Sequence, residues 1–387
     1  MDQSNLLITP DIMPFSATAL KELHKRIDTP ALLIVEERLQ ANIEAMQRLA
    51  RGNQCRLRPH IKTHKSTELA KRQLTAGAVG IAVAKLGEAE VMQDAGIDDI
   101  FIANQIAHPI KIKHLLALHK KGRIILGLDH PRQIDLLRDV FQTQNKPLEV
   151  RIEIDSGLKR CGVSSKKELL LLAKQVIKQP WLRLEGIFTH AGQAYGATSP
   201  HEIATVGRRE GEVMADATNW LKEEAISIET VSVGSTPTAP FSAQNEMVNE
   251  IRPGNYVFYD GIQTALGVCG SKQCALFVLA TVISHPEINR IVVDAGSKAL
   301  NLDRGAHAQA VLNGYGTLVN RPGVITRVSE EHGVVQISSE SAIQVGDPLL
   351  ILPNHACTVA NLYEKYYLAD KNLHLKEIAV SARGRSQ

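Results

Sequence analysis

Eight consecutive residues, Arg58-Pro59-His60-Ile61-Lys62-Thr63-His64-Lys65, place two lysines, two histidines and an arginine directly after a short apolar run. Cations packed this densely repel one another, which pushes a partly buried lysine toward its neutral amine. A neutral amine is a nucleophile, and such a lysine suits Schiff-base chemistry. A solvated basic loop or anion patch is the other reading of the same residues. Gly234-Ser235-Thr236-Pro237-Thr238 offers close backbone approach, free N–H groups and hydroxyls, which fits a phosphate cradle or simply a capped turn. Arg252-Pro253-Gly254-Asn255-Tyr256 brings a further turn and a phenol to the same kind of pocket. A phosphate site with a reactive lysine points to pyridoxal 5'-phosphate, which needs both.

Other residues could serve such a ring. Arg160 keeps its charge at any pH and can donate to a pyridine nitrogen or phenolate, or else pair with Asp155 or Glu153. His190 and Tyr195 can stack on or hydrogen-bond the ring, although structural roles are commoner for a lone histidine or aromatic. In Pro353-Asn354-His355-Ala356-Cys357, an extended backbone would turn His355 and Cys357 to one side. Imidazole plus thiolate suits Zn²⁺ best, with Mn²⁺ or Mg²⁺ as alternatives. With only two protein ligands, positions stay open for water and substrate. A buried cysteine beside a polar histidine is the bland alternative.

These residues need a frame. Apolar runs at 31–35, 55–58, 80–84, 99–103, 123–128, 149–155, 183–189 and 230–234 alternate with helical patterns at 37–50, 67–76, 86–95, 110–120, 132–140, 166–177 and 201–223. Short continuous apolar strands followed by helices predict a parallel (β/α)₈ barrel of the TIM type, with an open doubly wound sheet as the alternative. In a barrel, chemistry collects at the C-terminal strand ends, where Lys62, Arg160, His190 and Gly234 all fall. After about residue 265 the pattern turns β-rich, with strand-like runs at 274–284, 290–294, 316–319, 333–338 and 348–352. The expected organisation is therefore a 1–28 segment packing on the β-domain, a barrel at 29–265 and a β-rich, metal-binding domain at 266–387.

Composition narrows the class. At 387 residues the chain can hold a barrel and a second domain, and a net charge of +3 gives no case for nucleic acid. Five irregularly spaced cysteines argue against a disulfide framework. No run is long and apolar enough for a membrane span, and the first ten residues lack signal-peptide features. A cytoplasmic protein with reduced thiols is expected.

The motifs occur in a recognisable order: the Arg58–Lys65 stretch, Arg160-Cys161-Gly162-Val163, Gly234-Ser235-Thr236-Pro237-Thr238, Arg252-Pro253-Gly254-Asn255-Tyr256, Asp294-Ala295-Gly296, Glu331-His332-Gly333 and His355-Ala356-Cys357. In this combination the chain resembles the D-threonine aldolase/D-serine dehydratase family, fold-type III pyridoxal-phosphate enzymes with an alanine racemase-like barrel. The resemblance implies that Lys62 forms the Schiff base, that His355 and Cys357 bind a divalent metal, and that the enzyme is a homodimer acting on a small D-amino acid. It further implies cofactor contacts from His60, Arg160, His190, Tyr195, Gly234, Ser235, Thr236, Gly254, Asn255 and Tyr256. A His–Cys pair resembles the family's dehydratases, whereas its aldolases more often carry His with Asp. Gln193 and Ala194 stand where D-serine dehydratases tend to have histidine and serine. The expected activity is dehydration of a D-β-hydroxy amino acid, with retro-aldol cleavage as the alternative. A racemase and a non-catalytic cofactor carrier rank lower, because the former needs a second base where the metal sits and the latter has no β-domain.

Overall fold

The first strand, β1 (Ala31–Val35), is apolar and buried at every position. The sequence places it in the barrel, and here the structure differs. β1 pairs antiparallel with Leu276–Glu287 and parallel with Lys365–Ala369, both in the β-rich part of the chain. Burial on both faces gives the same apolar run whichever sheet a strand joins, so its composition could not distinguish them. The structure, a computed structural model, describes residues 12–306, 310–338 and 342–387. Two units divide the chain: residues 45–254 with 384–387, and residues up to 44 with 255–383.

The first unit is built on an 8-stranded parallel sheet. Its strands are β2 (Arg56–Leu57), β3 (Ile81–Val83), β4 (Asp99–Ile102), β5 (Arg123–Leu128), β6 (Leu148–Ile154), β7 (Leu182–Thr189), β8 (Thr230–Val233) and β9 (Glu250–Ile251). β3 to β9 lie in sequence order and β2 follows β9. The edges meet where His60 bridges Ala82 in parallel and the Ala82 N–H donates to Pro59 O at 2.8 Å, so the sheet closes into a barrel. β9 supplies the strand that β1 does not. It leaves no apolar run in the sequence because it is short and opens on a glutamate.

That glutamate explains the interior. Arg151, wholly buried, donates to Glu185 Oε2 at 2.6 Å and to both carboxylate oxygens of Glu250. Arg58 Nε donates to Glu250 Oε2 at 2.9 Å, and its Nη1 pairs with Asp99. Burial alone would raise the Glu250 carboxyl, but the charges of Arg151 and Arg58 hold it well below its ordinary range. Above this ionic layer Ala82, Phe101, Ile125 and Phe188 form an apolar one, with the two rings edge-on at 4.9 Å. Gly127 makes room for it, since a Cβ there would come within 2.9 Å of the Phe188 ring.

Helices Thr67–Thr75, Leu86–Asp94, Pro109–Lys121, Pro131–Phe141, Lys166–Ile177 and Pro200–Glu223 alternate with these strands. Their starts follow local rules. Ser165 and Glu168 form a capping box, and prolines at 109 and 131 sit in the first turn behind capping histidines.

The second unit contains β10 (Leu276–Glu287), β11 (Arg290–Val293), β12 (Thr317–Leu318), β13 (Val324–Val328), β14 (Gly333–Gln336), β15 (Pro348–Leu352), β16 (Lys365–Ala369) and β17 (Leu375–Ala379). β10, β11, β14, β13, β12 and β15 pair in a ring that returns to β10, an antiparallel barrel without free edges. β1, β16 and β17 extend it from β10. Helix Ala17–His24 belongs to this unit, and His24 Nε2 is 2.8 Å from Thr281 Oγ1 on β10. Among the described residues no helix is long and apolar enough to cross a membrane.

Candidate active site and metal-binding pair

Lys62 sits in a single 3₁₀ turn, Ile61–Thr63, at the C-terminal end of β2. His60 caps that turn, its Nδ1 accepting the Lys62 N–H at 3.3 Å. The turn packs tightly on the Arg252-Pro253-Gly254 segment. His60 N–H donates to Pro253 O at 3.1 Å, and a Cβ on Gly254 would lie 2.8 Å from His60 O and 3.0 Å from Thr63 Oγ1. Only glycine allows that approach.

The environment of His60 shows which expected residues converge. Burial, then the charges of Lys62, Arg252, His190 and Arg160, hold its imidazole well below the ordinary range, so it is neutral. These groups come from the ends of four different strands. Arg252 is 5% exposed, donates to Thr189 O at 2.6 Å and to Ser232 Oγ, and lies over the rings of Phe188 and Phe101 at 5.3 and 5.5 Å. Burial lowers it to about 10, still a cation at neutral pH. In its motif this arginine carries no signal that sets it apart from its neighbours.

His190 reaches the Gly234 loop, donating Nδ1–H to Gly234 O at 2.6 Å. Behind that loop the buried Glu210 accepts the Gly234 N–H at 3.2 Å, its carboxyl raised by burial. The Ser235 hydroxyl lies 2.7 Å from Thr238 Oγ1 and accepts the Thr238 N–H, so it caps its own turn. Thr236 is 2% exposed. The remainder of the cationic stretch is structural. His64 accepts the Ser66 N–H and bonds Gln73 Oε1, each at 3.1 Å, and burial pushes it down to about 4. Lys65 takes a left-handed backbone, φ 49°, and lies 3.4 Å from Glu88 Oε1.

Arg160 follows β6, with Nη2 3.6 Å from Glu153 Oε1 and nearly half its side chain exposed, while Asp155 instead accepts the N–H groups of Gly157 and Lys159. Asp129, Glu153 and Cys161 bring ligand-type atoms within 4.8 Å of one another, but they do not suit a cation. Gln105 donates to Glu153, Gly162 N–H donates to Asp129, Arg160 stands beside Glu153, and burial, with both carboxylates, pushes the Cys161 thiol up. Tyr195 occupies the 3₁₀ turn Gly192–Gly196 after β7.

In the second unit the backbone expected around His355 is corrected. His355 is extended, but Ala356–Ala360 is a short helix, so Cys357 lies in its first turn. The pair still meets. Against burial, which lowers it, the His355 imidazole is raised well above its ordinary range by Cys357 and by a hydrogen bond to Asp303. His355 Nδ1 lies 2.9 Å from Asp303 Oδ2. Asn255 Nδ2 donates to Asp260 Oδ2 at 2.6 Å and lies 3.8 Å from Cys357 Sγ, so the structure ties this amide to the His355 loop. Ala356 N–H donates to the same Asp260 oxygen at 2.8 Å. Tyr256 next to it is wholly buried. Asp303 and Asp260 lay too far along the chain from His355 for any sequence signal to join them.

Both groups fit what the resemblance implies. A dianionic phosphate suits the basic side chains of Lys62, Arg160, His190 and Arg252 and the backbone of the Gly234 loop. A divalent cation suits an imidazole and a thiol with carboxylates behind them.

Residues 34–261 match the family of the alanine racemase N-terminal domain, and residues 275–369 the putative serine dehydratase domain. D-threo-3-hydroxyaspartate dehydratase of Delftia sp. is 36% identical over 356 residues, covering 88% of this chain and 93% of its own. D-threonine aldolase of Arthrobacter sp. is 32% identical, covering 94% of each chain. The crystal structure of D-threonine aldolase from Filomicrobium marinum superposes with a TM-score of 0.87 at 31% identity, covering 93% of this chain and 97% of that one. The chain belongs to the D-threonine aldolase/D-serine dehydratase family. It is a pyridoxal-phosphate-dependent lyase with an alanine racemase-like fold.

Proposed function

We propose that the enzyme dehydrates a D-β-hydroxy amino acid of the D-threo-3-hydroxyaspartate or D-serine type, releasing a 2-oxo acid and ammonia. The observation that carries this reading is the meeting of His355 with Cys357, an imidazole–thiolate pair suited to Zn²⁺. In the chain's own terms, Lys62 would hold the cofactor, and once its amine is free its Nζ would carry the proton taken from Cα. His60 stays neutral beside it. Arg160 and His190, with Tyr195, orient the ring, while Gly234, Ser235, Thr236 and Gly254 bind the phosphate end. Bound there, pyridoxal phosphate supplies an electron sink for the charge left at Cα. His355 and Cys357 hold a divalent cation whose Lewis acidity assists departure of the β-hydroxyl. A homodimer completes the reading.

The likeness to D-threonine aldolases favours a second reading, Cα–Cβ cleavage to glycine and an aldehyde with the same residues. Product analysis on a panel of D-β-hydroxy amino acids, with and without a chelator, separates the two. Keto acid with ammonia supports dehydration. Glycine with an aldehyde overturns it.

A further inference from the structure

We infer that Asp303 is a positioning residue for the metal-binding pair: it takes the Nδ1–H of His355 and leaves Nε2 as the coordinating atom. The inference rests on the metal reading given above. A carboxylate can only accept, so at 2.9 Å from Asp303 Oδ2 the His355 Nδ1 must carry the proton. That fixes the tautomer and leaves one ring nitrogen for a cation.

Asp303 is itself held by the residues that flank His355. Thr358 Oγ1–H donates to the same Oδ2 at 2.8 Å, and Asn354 Nδ2 donates to the Asp303 carbonyl at 2.9 Å. Asn354 also donates to Gly314 O at 2.9 Å, which ties the His355 loop back to the strand region before β12. On the other side, Asp260 accepts the Ala356 N–H and caps the helix Gly261–Ala265 through the Gln263 N–H at 3.0 Å. The backbone on both sides of His355 is therefore fixed. The remaining freedom is rotation of the imidazole, and the bond to Asp303 removes it. A histidine ligand whose second nitrogen is held by a carboxylate is more basic and already aimed, so it binds a cation without losing ring rotation at that moment.

A purely structural Asp303–His355 contact would tether the loop and do nothing for the cation. Zinc affinity distinguishes these cases. It is measured on cofactor-loaded protein by competition with a chelating dye, alongside the melting temperature of the zinc-free and zinc-loaded forms. Asp303→Ala is expected to weaken zinc about 10- to 100-fold. Asp303→Asn, which keeps an acceptor, should fall between it and the wild type. Thr358→Val, which removes the bond steadying Oδ2, should weaken zinc less than Asp303→Ala. His355→Ala marks the loss of the ligand itself. Wild-type affinity in Asp303→Ala, with equal melting losses in the zinc-free and zinc-loaded forms, would overturn the positioning role while leaving the metal site standing. If wild type and His355→Ala bind zinc equally poorly, the metal reading falls and this inference with it.

Discussion

Two short turns hold the residues proposed to react, and the charged groups around them differ in sign. Arg252, His190 and Arg160 act with Lys62 on His60, which caps the Lys62 turn and is held neutral. The turn bearing His355 and Cys357 is backed by Asp303 and Asp260. On the proposed reading the first takes an anion and the second a cation. Charge preorganised in this way costs nothing at the moment of binding. The densest run of cations in the sequence is not uniform: Lys62 is the residue proposed to react, while Arg58, His64 and Lys65 are held in internal bonds.

The largest test of the anion side is Lys62→Ala. Visible absorbance from the lysine-bound cofactor should vanish and turnover should fall about 10³-fold or more, read by spectrum and product assay; an unchanged spectrum would remove Lys62 from its role. Next comes the ionic layer beneath that site. Glu250→Gln leaves Arg58 and Arg151 short of a countercharge, and urea unfolding should register a loss of about 3–5 kcal/mol. A midpoint equal to wild type would show that this cluster does not hold the barrel.

On the cation side, Cys357→Ala should lower turnover about 10²-fold. A chelator should then do no further harm, whereas in the wild type it should mimic the substitution; chelator-insensitive wild-type activity would contradict the metal role. The smallest effect concerns His64, pushed down to about 4 by burial. Between that value and the ordinary 6.5 the unfolded chain binds the extra proton, so its stabilising effect is full above pH 6.5 and fades as pH falls toward 4. The loss should reach about 1.5 kcal/mol between pH 6.5 and pH 5. In His64→Gln that part of the pH slope should disappear from denaturant curves; an unchanged slope would mean that His64 titrates normally.

Much of this was legible in the order of residues. Apolar runs at regular spacing reported the parallel strands, because strands buried on both faces read as continuous apolar stretches. The position of Lys62, Arg160, His190 and Gly234 just past those runs followed from the architecture, since barrel loops at one end gather by construction. The His355-Ala356-Cys357 spacing does bring the two side chains together, although through a helical first turn rather than an extended strand.

Tertiary structure decided the rest. β1 reads as a barrel strand because local composition reports burial and not the identity of a neighbour, and its true partners lie more than two hundred residues away. β9 was invisible because a buried glutamate, tolerable only beside Arg58 and Arg151, breaks the apolar signal that marks a strand. Asp303, 52 positions from His355, has no local pattern at all. The sequence determined which side chains could react; which of them meet, and with what charge behind them, depends on contacts that only the closed sheets create.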